Sequence, residues 1–221
     1  MKNVVCLAFT YLLYFSFHSA FSQAPLTENK LPVFRIVLDP GHGGKDSVTR
    51  SDGYQEKHIV LGIAMEVRNY LEESGFEVIM TRETDEFISL PARAAFKGDI
   101  FISLHTNTVA DTIGESVRSM IKGMEIYTDK SMETVELLNR SKVLASAFRI
   151  HLAGLQGVKM RGVRQKPLAV LNKNQSPAIL IELGFISNKD DLAYLTNPDN
   201  YKEIAKAIVN AVKAYQLEFT P

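Results

Sequence analysis

Hydrophobic positions along this chain follow two periods, and the switches between them mark out elements. Residues 34–38 are a short, β-branched apolar run ended by Asp39, Pro40 and Gly41, which predicts a buried strand that stops sharply. From Glu56 onward, Ile59, Ile63, Val67, Tyr70 and Leu71 recur at helical spacing, and Ser74 with Gly75 closes that helix where a left-handed cap is expected. A second strand over 76–80 follows directly. Residues 89–96 read as a short helix, and 99–104 as a strand whose apolar residues stop at His105. Strands are further predicted over 124–127, 168–171 and 178–183, with helices over 134–152 and 201–217.

Strands that alternate with helices predict an α/β fold, a three-layer sandwich with a mostly parallel mixed sheet of about six strands flanked by helices. Ligands of such sheets bind outside the carboxyl ends of the strands. His42 lies just past the end of the first strand, His105 just past the third, and Glu182 near the end of the last core strand. Three positions far apart in sequence should therefore meet at one sheet edge.

Composition narrows the setting. Lys2, an apolar run over 4–17, and the small residues Ala20 and Ser22 predict an export leader over 1–22, since the run is shorter than the roughly 20 residues that span a bilayer. A linker over 23–32 and one catalytic domain over 33–218 would follow. The expected location is the periplasm or cell envelope, with no integral membrane span once the leader is cut. Lys and Arg number 25 against 25 Asp and Glu, so no global field draws the chain to nucleic acid. The only cysteine, Cys6, falls inside the leader, leaving neither disulfide nor thiolate to the exported product.

A metal in such a product must be held by His and carboxylate, a set that suits zinc. His42, Glu56 and His105 supply two imidazoles and one carboxylate, leaving a fourth position for water. Gly41, Gly43 and Gly44 free the backbone around His42 for a tight loop. Glu182 stands inside the apolar run 178–183, where an unpaired carboxylate is costly unless it is neutral, paired or beside a metal. Next to activated water it would serve as general base and acid.

The segments IVLDPGHGG at 36–44, EK at 56–57, SLHTN at 103–107, RGVR at 161–164 and PAILIELGFISN at 177–188 resemble, in order, the zinc-dependent N-acetylmuramoyl-L-alanine amidases of bacterial cell walls. The resemblance covers about 34–217. It implies hydrolysis of the amide between the lactyl group of N-acetylmuramic acid and L-alanine in peptidoglycan. It also implies one Zn2+ on His42, Glu56 and His105, with Glu182 catalytic. Asn107 and Arg164 are candidates for holding substrate carbonyls or a stem carboxylate. Residues 47–50 and Thr106 depart from the family pattern without touching a ligand. Some relatives carry a helix that blocks the zinc site until a partner removes it. The loop 108–122 leaves no clear room for one, so constitutive activity is expected, and a divisome-type activator is left unspecified.

Other residues are passed over. His58 sits two positions from Glu56 and would face another direction on a helix. His151 reads as a helix-end residue, and Lys159, Arg161, Arg164 and Lys166 as solvated surface. Two other functions stay open: a wall-binding module without turnover, and a peptidase acting within stem peptides.

Overall fold

The computed structural model describes residues 33–46, 50–51 and 53–219. The expected leader, Cys6, the linker 23–32 and the departing residues 47–49 lie outside them. In chain order the elements are strand β1 (Arg35–Pro40), a hairpin of β2 (Arg50–Ser51) and β3 (Tyr54–Gln55), helix α1 (Glu56–Glu73), β4 (Glu77–Met80), α2 (Leu90–Ala94), β5 (Ile100–Asn107) and α3 (Glu115–Arg118). There follow β6 (Met124–Thr128), α4 (Val135–Leu152), β7 (Met160–Gln165), α5 (Ala169–Asn172), β8 (Ala178–Phe185), α6 (Lys189–Leu195) and α7 (Pro198–Phe219).

The six-stranded sheet has the order β4-β1-β5-β8-β6-β7. Its first four strands are parallel, β6 pairs antiparallel with β8, and β7 runs parallel to β6 at the far edge. This is the expected mixed α/β sandwich.

Side chains alternate across the sheet with period two, so each strand feeds two cores. Ile36, Leu38, Ile102, Leu104, Ile179 and Ile181 face one way and pack in a large cluster with residues of α1, α4 and α7. Burial of each such side chain contributes about 1.5–3 kcal/mol. Val37, Phe101, Ala178 and Leu180 face the other way, into a smaller cluster with Val170 and Leu171 of α5. The same alternation puts Asp39, His105 and Glu182 on this second, thinly covered face, where His105 and Glu182 remain part-exposed.

Local chemistry sets the helix ends. The Ser89 hydroxyl accepts from Ala92 N at the start of α2, and the Thr134 hydroxyl from Leu137 N at the start of α4. Gly75, at φ 88°, turns the chain out of α1 into β4.

The sequence-based reading of 168–171 as a strand is corrected: Ala169–Asn172 is one helical turn, and the sixth strand lies upstream at Met160–Gln165. A four-residue apolar run has no period of its own to read. The Asp129 carboxylate also anchors its entry, accepting from Leu168 N at 2.6 Å. The true strand is half-exposed and basic, as an edge strand tends to be. No described helix is long and apolar enough to cross a membrane.

Candidate metal and catalytic site

The loop after β1 takes a backbone path that few residues tolerate. His42 has φ 57°, in the left-handed region that costs a residue with a Cβ about 1–2 kcal/mol, and Gly43 and Gly44 continue at φ 127° and 57°. A Cβ on Gly43 would lie 2.1 Å from Glu86 O, so only glycine fits.

Two buried guanidinium groups hold this path. Arg82 donates to Pro40 O at 2.9 Å and to Gly41 O and Lys57 O at 2.8 Å. Arg93 donates to Asp39 Oδ1 at 2.6 Å, to Pro40 O at 2.8 Å and to His42 O. Asp39 also accepts from Thr81 and Ser103 hydroxyls at 2.6 and 2.7 Å. The Lys57 ammonium ties the far end of the loop, donating to Gly44 O at 2.8 Å.

Thus fixed, His42 meets the residues expected to join it. Its Nε2 lies 3.2 Å from Glu56 Oε2, and His105 Nδ1 donates to Glu56 Oε1 at 2.9 Å. Glu56, first residue of α1, is aimed back at the sheet edge and also accepts from Thr106 N at 2.9 Å. One ligand atom from each of the three lies within 4.8 Å of the others. The imidazoles cross at 79° with ring centres 4.9 Å apart. Asp46 Oδ2 stands 3.0 Å from His42 Nδ1, off the line of a hydrogen bond.

The charges of this cluster call for a cation. Glu56 accepts from both imidazoles, and this contact raises the pKa of His42 to about 9 against the opposing effect of burial. Burial alone would raise Glu56, but hydrogen bonds from His105 and His42 outweigh it and hold the carboxylate ionised. Burial would lower His105, yet Glu56 and Glu182 raise it. Two His with one carboxylate is a donor set that suits a catalytic metal with an open position.

Glu182 pairs with His105 in the β5–β8 register, one strand away from the cluster. Its Oε2 is buried and has no hydrogen-bond partner among the described residues. Burial, helped by the charges of Glu56 and Glu125 and opposed by His105, raises its pKa to about 7. This is the range a group needs to take and return a proton at neutral pH.

On the other flank, a cavity of 360 Å³ opens beside His42 and His105, with Phe87, Leu90 and Val170 among its walls. Asn107 ends β5; its side chain accepts from Thr108 N at 2.8 Å. Arg164 does not reach the cluster but lies on β7, with Nε 3.2 Å from Glu125 Oε1. Glu125, opposite Glu182 in the β6–β8 register, was missed by sequence reasoning. The signal was there, because it is a carboxylate in an apolar strand like Glu182. His58 faces Asp85 at 3.4 Å, apart from the His–Glu–His cluster, as expected.

Gly41 makes a prediction. A Cβ there would lie 2.3 Å from His105 Cε1, while Gly41 N is fixed to Leu104 O at 2.9 Å. Gly41→Ala should therefore push the His105 ring aside and lower the affinity of this candidate site for an added divalent metal by about tenfold or more in a chelator competition. The overpacking itself costs about 1–3 kcal/mol. Unchanged affinity would show that His105 is not held by this contact.

A family profile described as N-acetylmuramoyl-L-alanine amidase matches residues 36–214. YqiI of Bacillus subtilis is 30% identical over 202 residues, covering 89% of this chain and 92% of YqiI. A protein of Staphylococcus saprophyticus named "Probable cell wall amidase LytH" is 34% identical over 183 residues, covering 81% of this chain and 57% of LytH. Among solved structures, N-acetylmuramoyl-L-alanine amidase AmiC2 of Nostoc punctiforme superposes with a TM-score of 0.73 at 30% identity, over 83% of this chain and 97% of that one.

Proposed function

The chain belongs to the N-acetylmuramoyl-L-alanine amidase family, and we propose that it is an exported enzyme that hydrolyses the lactyl–alanine amide of peptidoglycan with one zinc ion on His42, Glu56 and His105. Export rests on the leader-like residues 1–22, and the periplasm or cell envelope follows as the place of action. One observation carries the chemistry: a part-exposed carboxylate, Glu182, whose buried Oε2 has no partner among the described residues, in register with His105 beside a His–Glu–His cluster.

Zinc in this cluster would polarise the scissile carbonyl and bring the pKa of water from about 16 to about 7. The chain's own residues do the rest. Glu56 supplies the negative charge of the donor set. Asp46, 3.0 Å from His42 Nδ1, favours the orientation that presents Nε2 inward. Glu182 takes the proton of the attacking water on its free Oε2, then returns it to the departing alanine nitrogen. Burial at this thinly covered face keeps that carboxylate protonatable near neutral pH. Asn107 and Arg164 flank the site as substrate-holding residues.

Purified residues 23–221 incubated with peptidoglycan should release stem peptides with a free N-terminal alanine, read by mass analysis. Dialysis against a chelator should abolish release, and added zinc should restore it. Cleavage between amino acids would instead identify a peptidase, and binding without release a wall-binding module.

A further inference from the structure

The basic residues of β7 are not merely solvated surface, because Glu125 organises them. Glu125 is buried, 4% exposed, and both its oxygens are engaged. Oε1 accepts from Arg161 Nε at 2.7 Å and faces Arg164 Nε at 3.2 Å, while Oε2 accepts from the Tyr127 hydroxyl at 2.5 Å. Burial would raise this carboxylate, but Tyr127 and Arg161 outweigh it and keep it ionised. Tyr127 in turn is pushed up to about 12, first by burial and then by Glu125, and stays a donor.

Two carboxylates that face each other in register, Glu125 and Glu182, thus differ in their partners. Glu182 has a free oxygen for proton transfer; Glu125 is spent on positioning. What it attracts is Arg164, a half-exposed side chain ion-paired through Nε, with no second partner among the described residues. The two terminal nitrogens of the guanidinium are therefore left for a ligand. Lys166 adds a second exposed cation, 5.9 Å over the Tyr127 ring.

We propose that Arg164, oriented by Glu125 and assisted by Lys166, binds the carboxylate of the residue that follows L-alanine in the stem peptide, so that the peptide leaves the scissile amide toward β7. This deepens the amidase reading and rests on it. The spacing fits. Neighbouring strands lie about 4.8 Å apart, and Glu125 draws the guanidinium back over β6, one strand from Glu182. A second peptide residue begins about 3.8 Å beyond the first, within reach of that fork. A planar guanidinium ion-paired along one edge presents its other edge for bidentate carboxylate binding. The opposite flank, with Phe87, Leu90 and Val170, is apolar and would take the lactyl side; its exposed cation is Lys45, 4.6 Å over the Phe87 ring.

The test uses zinc-loaded Glu182→Gln protein, in which turnover is slowed enough for binding to be read, and two muramoyl dipeptides. Both have the γ-carboxyl of the D-glutamyl residue amidated; one keeps a free α-carboxylate and the other carries an α-carboxamide. Calorimetry should show the acid bound about tenfold more tightly than the amide. Adding Arg164→Ala should bring that ratio close to one, and Arg164→Lys should restore part of it. Adding Lys45→Ala should leave the ratio as it was. A ratio untouched by Arg164→Ala, or one collapsed by Lys45→Ala instead, overturns the proposal. Cleavage of either dipeptide by the wild-type protein tests the amidase reading separately, so a failure of one is not mistaken for a failure of the other.

Discussion

Glu182→Gln should lower turnover on peptidoglycan by about a hundredfold to ten-thousandfold, the usual contribution of a positioned general base, while zinc content stays unchanged. Gln keeps the size and leaves the cluster of His42, Glu56 and His105 intact, so a loss of metal would point to a different role. A second readout separates chemistry from structure. The native carboxyl has its pKa raised from 4.5 to about 7, chiefly by burial. Below pH 4.5 it is protonated in both folded and unfolded chains and costs nothing. As pH rises, the unfolded chain ionises first, and the native state loses stability until about pH 7. The neutral Gln escapes that loss. In metal-free protein at pH 8, Glu182→Gln should therefore be more stable than wild type by about 1–3 kcal/mol, and equal to it near pH 4. Full turnover in the variant would remove Glu182 from the proposed role. An unchanged pH dependence of urea unfolding would remove the buried charge from the account of its pKa.

The parts of this site legible in the sequence are those where a polar residue breaks an apolar pattern or a glycine run demands an unusual backbone. His42 sits among Gly41, Gly43 and Gly44 directly after a strand, and Glu182 interrupts the run 178–183. Both signals point to the carboxyl edge of a sheet, and the strand order brings them there. What stayed hidden depends on pairing. Arg82 and Arg93 break no apolar pattern and carry no signal in the sequence, and only the fold shows them buried against the carbonyls of Pro40, Gly41 and His42. The strand β7 was hidden for a related reason. Its basic residues mask a backbone that pairs with β6 along one edge only, whereas the apolar run beside it imitates a strand and folds as a turn of helix.

Arg93→Ala should be the most damaging of the structural changes to the loop, costing about 3–5 kcal/mol of stability, because it leaves Asp39 as a buried charge without its cation. Asp39 and Arg93 are both almost wholly buried, and their contact is 2.6 Å. The hydroxyls of Thr81 and Ser103 still donate to Asp39, but they carry no compensating charge. Urea unfolding must be measured with a chelator present, since bound zinc would add its own linkage term to the native state. The same substitution frees Pro40 O and His42 O from one of the donors that hold the left-handed turn. His42 can then relax toward negative φ, relieving about 1–2 kcal/mol of backbone strain, and its imidazole swings out of line with Glu56. Zinc affinity should fall along with stability. Arg93→Lys separates the two effects. A lysine restores a charge beside Asp39 and recovers much of the stability, but it lacks the fork that reaches two carbonyls as well. If Arg93→Lys binds zinc as tightly as wild type, the guanidinium serves only to neutralise Asp39, and the geometry of the His42 loop is held by Arg82 and Lys57 alone.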